Sequence, residues 1–180
     1  MLLAALAAAA FLASAAFAGS DEDFLAARDA YRANDAARLD AYAARLDGSV
    51  LQPYVRYWSL VLRLDTATPN EVRAFIAAHG DSPLAEQLRA AWLKNLGQRG
   101  NWAEFDDEFP RLANPDTELT CYRLQERFAR GDAAAREEAR RLWLSGNAQP
   151  ASCAAAFDAL AASGGLRIED VWARIRLALE

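Results

Sequence analysis

The densest reactive grouping in the sequence is the acidic run Glu104, Asp106, Asp107 and Glu108. Two carboxylates held close together can divide general-acid and general-base work between them. These four alternate with Trp102, Phe105 and Phe109, whose spacing makes one apolar face of a short helix, so the acids are expected on its solvated face. The single histidine, His79, precedes Gly80 at a helix end, where a protonated imidazole would meet the negative pole of the helix dipole. One histidine without further ligands at metal spacing does not make a zinc site. Ser145 and Ser152 have no accompanying His or Asp arrangement that would make either a nucleophile, and the sequence has no glycine-rich phosphate loop. No catalytic, cofactor-binding or metal-binding residue is therefore expected in this chain.

Cys121 and Cys153 are the remaining candidates, and their chemistry depends on compartment. In an oxidising one, an even count of two favours a disulfide; two buried thiols that never meet is the alternative. The five tryptophans raise another possibility, because flat aromatic faces stack on sugar rings. Trp58, Trp92, Trp143 and Trp172 fall on or beside helical apolar stripes and are expected in the core, whereas Trp102, at a helix start, stays open. Arg140 and Arg141 face Glu137 and Glu138 and are expected to form surface ion pairs along one helix.

The elements that must position these groups are helical throughout. Apolar residues recur three and four apart, as in Leu39, Tyr42, Ala43 and Leu46 or Tyr54, Trp58, Val61 and Leu62, and no segment alternates with period two. Thr68-Pro69-Asn70-Glu71 supplies an N-cap hydroxyl, a proline at the first helical position and a glutamate that completes a capping box. Ser82-Pro83 opens the next helix and Gly97 to Gly100 closes it; Asn101, Thr117 and Asp132 are candidate caps. Pro110, Gly146 and Gly164-Gly165 mark further boundaries, with a last helix near 168 to 180. The spacing predicts about ten helices joined by short links, hence antiparallel hairpins. Small residues at Ala26, Ala27, Ala43, Ala91, Ala135, Ala139 and Ala156 favour close layering of hairpins over a compact bundle. The expected fold class is all-α, an irregular superhelix, or solenoid, of antiparallel helical hairpins.

The first 20 residues carry no charged side chain, and the apolar run ends at Ala16-Phe17-Ala18, the small-x-small pattern of signal-peptide cleavage. Residues 1–18 are expected to be a secretory signal peptide, with an uncleaved anchor as the rival, and residues 19–180 to form one α-superhelical domain. Export and no stable membrane insertion after cleavage follow. The net charge of -5 argues against a nucleic-acid partner, whose binders carry a basic face. The sequence stops at Arg174-Ile175-Arg176-Leu177-Ala178-Leu179-Glu180 in mid-stripe without a capping helix, so the domain is expected to be incomplete at its C-terminal end.

The run Leu142-Trp143-Leu144-x-Gly146-x-x-Gln149-Pro150-x-x-Cys153, preceded by Cys121-Tyr122 and followed by Arg174-Ile175-Arg176-Leu177-Ala178, resembles the N-terminal superhelical region of periplasmic soluble lytic murein transglycosylases. Pro53-Tyr54-x-x-Tyr57 and the Trp102 hairpin extend the likeness, which covers roughly residues 24 to 180. The resemblance implies a ring-forming helical region whose partners are peptidoglycan glycan strands and a C-terminal catalytic domain missing from this chain. In the full enzyme that domain cuts the MurNAc-GlcNAc β-1,4 bond with one Glu and leaves a 1,6-anhydro end. No catalytic residue carries over, because no segment here matches the catalytic motif. The resemblance also implies pairing of Cys121 with Cys153 as a structural bond. The alternative reading is a free-standing periplasmic helical-repeat scaffold that binds protein partners.

Overall fold

A computed structural model describes residues 20–80 and 82–179. The expected signal peptide, 1–18, lies outside the described residues. Among those described there are ten α-helices and no strand: α1 over 20–32, α2 (Ala36–Arg45), α3 (Gln52–Leu62), α4 (Pro69–Ala78), α5 (Pro83–Gln98), α6 (Trp102–Glu108), α7 (Thr117–Ala129), α8 (Ala134–Trp143), α9 (Cys153–Ala162) and α10 (Ile168–Leu179). A single 3-10 turn, Phe109–Arg111, follows α6 where Pro110 prevents the helix from continuing. No helix among the described residues is long and apolar enough to cross a membrane.

The chain divides into two compact units, one ending at Leu88 and the other beginning at Arg89, so the division falls inside α5. In the first unit, α1, α2 and α3 surround a core of Ala27, Ala30, Leu39, Leu46 and Val55, flanked by Phe24, Tyr31 and Trp58. Trp58 stacks on both Phe24 and Tyr31, with ring centroids 5.2 and 5.6 Å away, so its burial is structural. Asn34 turns the chain from α1 into α2 at a φ of 56°, a conformation Asn tolerates better than most side chains, and Asp35 then caps α2 by accepting the Arg38 N–H. The capping box before α4 forms as the sequence predicts: Thr68 Oγ1 accepts the Glu71 N–H at 3.2 Å, and Glu71 Oε2 accepts the Thr68 N–H at 2.8 Å. That backbone N–H holds the Glu71 carboxyl below its ordinary range.

In the second unit α7 packs on α8 and α9, around Leu124, Ala135, Ala139, Ala156 and Leu160. Three of these five are the small residues expected to allow close helix approach, and all three are fully buried. The stretch Gly97 to Gly100 closes α5, which ends at Gln98 as expected, and Gly97 has a further role. It lies inside α5 against the Tyr122 ring of α7, where an added Cβ would stand 2.8 Å from both ring Cδ atoms. Of the expected caps, Thr117 is displaced by Asp116, whose Oδ1 accepts the Leu119 N–H at 2.9 Å. Asn101 precedes α6, but its side chain turns to Glu104 instead of capping the backbone.

Trp172 departs from the expectation of core packing: it is 56% exposed. It shares an exposed apolar stripe with Ile168, Ile175 and Leu179, spaced i, i+4, i+7, i+11 along α10. The period was legible, but the face that docks is another one, which carries Asp170 and Arg174. Asp170, Arg174 and Leu177, also one turn apart, are the α10 residues that meet α8 and the loop after it.

Candidate functional site

The acidic run around α6 is dismantled by arginines. Glu104 pairs with the Asn101 amide, Asp106 with Arg130 at 3.1 Å and Asp107 with Arg111 at 3.2 Å. Glu108 is not on a solvated face as expected: its side chain is 3% exposed, with Arg89 Nε at 3.0 Å and Arg111 Nη1 at 2.8 Å. The helix is only seven residues long, and α5 brings Arg89 to its inner side. A buried carboxylate is tolerable only with such partners.

One cleft in this unit holds two carboxylates, Asp106 and Glu126. It encloses about 240 Å³ and is lined by Trp102, Ala103, Asp106, Glu126, Ala129 and Arg130. Burial pushes the Glu126 carboxyl up, and Asp106 adds to the rise while Arg130 opposes it. A raised carboxyl beside a second carboxylate is the pattern of an acid–base pair. Here Arg130 spans the two, with Nε 2.6 Å from Glu126 Oε1 and Nη1 3.1 Å from Asp106 Oδ2, and so fills the positions a substrate proton would need. The arrangement ties α6 to α7. Sequence reasoning did not single out Glu126, because nothing local marks a mid-helix glutamate as buried.

The run from Trp143 to Cys153 forms a latch joining four helices. Cys153, at the start of α9, is disulfide-bonded to Cys121 in α7, with Cα atoms 4.8 Å apart. Beside the bond, Gln125 Nε2 donates to the Ser152 carbonyl at 2.6 Å and Ser152 Oγ donates to the Glu118 carbonyl at 3.3 Å. Trp143 closes over Phe157 edge to face, and Arg174 from α10 lies over the Trp143 ring at 4.4 Å while donating to the Trp143 carbonyl at 2.7 Å. The cation–π contact contributes roughly 1 kcal/mol. Gly146 lets α10 pass: a Cβ there would stand 2.9 Å from the Leu177 carbonyl oxygen. Gln149 Nε2 reaches Ser145 Oγ and the Asn147 carbonyl and folds the loop on itself. Trp143, Gly146, Gln149 and Cys153 of the run thus each have a structural task.

Arg140 does not pair along its own helix as expected. It reaches Asp170 at the N-terminus of α10, with Nε at 3.0 Å and Nη2 at 2.5 Å, because its position on α8 faces α10 and not solvent. Glu138 pairs instead with Arg127 of α7, and only Arg141 keeps the expected partner, Glu137, at 3.7 Å. The Arg140 guanidinium, with the Arg167 N–H, holds the Asp170 carboxyl far below the usual range. A group depressed on folding stabilises fully above its unfolded value, near 3.9, and that stabilisation is lost as pH falls toward the folded value. Asp170→Asn is expected to lower the melting temperature of the second unit at neutral pH. It should also flatten the dependence of that temperature on pH below about 4, as read by circular dichroism.

Two cavities in the first unit meet at His79. One, of about 370 Å³, is lined by Tyr54, Tyr57 and Trp58 of α3, by His79 and by Ser82 and Gln87 at the start of α5. The other, of about 390 Å³, is lined by Arg56, Ser59 and Arg63 on the next face of α3 and by Glu71, Phe75 and His79 of α4 and its cap. The His79 imidazole rests on the Phe75 ring, centroids 4.5 Å apart. Among the described residues no group of three His, Cys, Asp or Glu is placed to hold a metal ion. The sequence placed His79 at a helix end; that tyrosines of α3 line one cavity beside it and arginines of α3 the other is seen only in the folded unit.

No family model matches the chain. Over 134 residues, 72% of this chain, it is 30% identical to a soluble lytic murein transglycosylase of Salmonella typhimurium, and it spans 20% of that protein's length. Among solved structures it is similar to an inactive variant of the lytic transglycosylase Slt from Pseudomonas aeruginosa, at 36% identity and a TM-score of 0.69 over 84% of this chain and 25% of that one. It is also similar to the 70 kDa soluble lytic transglycosylase of Escherichia coli, at 25% identity and a TM-score of 0.70 over 89% of this chain and 26% of the other. The all-α superhelical class of antiparallel hairpins expected of the sequence is the class it shares with them.

Proposed function

We propose that this chain, a relative of the soluble lytic murein transglycosylases over about one fifth of their length, acts as a non-catalytic helical part of a peptidoglycan-cleaving protein. It is exported behind a signal peptide at residues 1–18 and carries the Cys121–Cys153 bond in the periplasm, where such bonds persist. Its task is to position the enzyme on glycan strands. The cut of the MurNAc-GlcNAc bond to a 1,6-anhydro end is made by groups outside residues 20–179.

The observation that carries this reading is the latch from Trp143 to Cys153. The spaced residues on which the family resemblance rests are those that hold α7, α8, α9 and α10 together, which is a structural likeness and not a borrowed active site. The chemistry agrees: the carboxylates of the Trp102 cleft are bridged by Arg130. The test is incubation of the purified chain with cell-wall sacculi. Sedimentation with the sacculi and no release of anhydro-muropeptides is the expected result. Release of such fragments would overturn the non-catalytic assignment, and failure to sediment would overturn the positioning role.

A further inference from the structure

We propose that the tyrosine-lined cavity beside His79 binds an N-acetylated amino-sugar unit of a glycan strand, and that the arginine-lined cavity on the other side of His79 receives a carboxylate borne by the adjoining unit. This rests on the peptidoglycan reading and extends it by assigning a place and a polarity to strand binding.

A pyranose ring has an apolar C–H face and a rim of hydroxyl and amide groups, so a site for it needs flat apolar walls and a few hydrogen-bonding atoms at their edge. The cavity of about 370 Å³ is within the usual range for small-ligand sites and has both. Tyr54 and Tyr57, one turn apart on α3, supply aromatic wall together with Trp58. Gln87 is exposed on the first turns of α5 and brings an amide to the rim. Ser82 also lines this cavity, and its Oγ is buried without a hydrogen-bond partner among the described residues, an unusual condition for a hydroxyl. Burial, reinforced by Tyr31, pushes the Tyr57 phenol up, so it stays neutral and can both donate and accept.

Across His79 the chemistry changes sign. Arg56 and Arg63 line that cavity against one carboxylate, Glu71. Their ion pairs are long and exposed: Arg56 lies 3.6 Å from Asp47 and Arg63 lies 4.0 Å from Glu71. Exposed pairs of this kind contribute little, so an incoming carboxylate can replace them at small cost. Because His79 lines both cavities, a neutral sugar in one leaves its neighbour on the strand beside the guanidinium groups. A strand whose units alternate between neutral and carboxylate-bearing fits this pair of cavities.

The experiment is an NMR titration of the isotope-labelled chain with two soluble probes, a β-1,4-linked N-acetylglucosamine tetrasaccharide and a muramyl disaccharide-peptide. Saturable shifts at Tyr54, Tyr57, Ser82 and Gln87 are expected with both, and shifts at Arg56 and Arg63 only with the second. Gln87→Trp, which fills the cavity mouth from an exposed position, is expected to weaken both probes about tenfold with an unchanged melting temperature, the loss of roughly 1.4 kcal/mol. Arg63→Gln is expected to weaken only the carboxylate-bearing probe. Shifts elsewhere, or unchanged affinity in Gln87→Trp, overturn the site. If the chain sediments with sacculi while these shifts are missing, the site is wrong and the peptidoglycan reading stands; localised shifts without sedimentation have the opposite meaning.

Discussion

Reducing the Cys121–Cys153 bond is expected to lower the stability of the second unit by about 3–4 kcal/mol, the loop-closure entropy for cysteines 32 residues apart. Both cysteines and their bond lie beyond Arg89, so the loss should fall on that unit alone. A melt of the whole chain should then separate into two transitions, with only one shifted, by roughly 15–20 °C. Cys121 and Cys153 are also buried against Phe157, so substitution removes packing as well as the cross-link. Comparing reduced wild type with a Cys121→Ala, Cys153→Ala chain divides the two effects: the reduced protein loses the constraint, and the double variant loses the constraint and the contacts. A single unchanged transition on reduction would show that the bond does not constrain the unfolded chain. Loss of both transitions would show that the two units do not melt independently.

What was legible in the sequence was what is decided within a few residues along the chain. The Thr68–Glu71 box uses groups three residues apart and the Ser82-Pro83 start adjacent ones, and the structure begins both helices at the expected place. The period of the apolar stripes was equally plain, because 3.6-residue spacing is a property of one helix. Which face of that helix would be covered was not. Trp172 belongs to a regular stripe and is exposed, while Asp170 on another face of α10 is buried by Arg140, 30 residues earlier. Glu108 reads as a surface acid until Arg89, 19 residues away, is brought beside it. His79 shows the same limit: its position at the end of α4 is local, whereas the tyrosines and arginines in the cavities on its two sides come from α3. Motif residues were a middle case. Gly146 and Gln149 could be recognised as a pattern, but the reason for each, a passing carbonyl of α10 and a folded loop, exists only in the assembled unit.

Gly97 provides a direct test of that distinction. By local rules Gly97→Ala should stabilise the chain, since alanine is favoured over glycine inside a helix by about 1 kcal/mol. By packing it should destabilise, because the new methyl group would enter the Tyr122 ring, which is itself buried between α5 and the rest of the unit. Overpacking a filled core costs about 1–3 kcal/mol, and the ring is not a flexible chain end that can swing aside, so packing is expected to win by up to about 2 kcal/mol. A double-mutant cycle with Tyr122→Ala makes the cause measurable. Removing the ring creates a cavity and is destabilising alone, at about 3–5 kcal/mol. In that background the methyl group has room, and Gly97→Ala is expected to change sign and become stabilising, giving a coupling of about 2 kcal/mol or more between the two sites. Denaturant melts of the four proteins read it. Equal effects of Gly97→Ala in both backgrounds would mean that the glycine marks a helix stop, as its local sequence suggests, and not the close approach of α5 to α7.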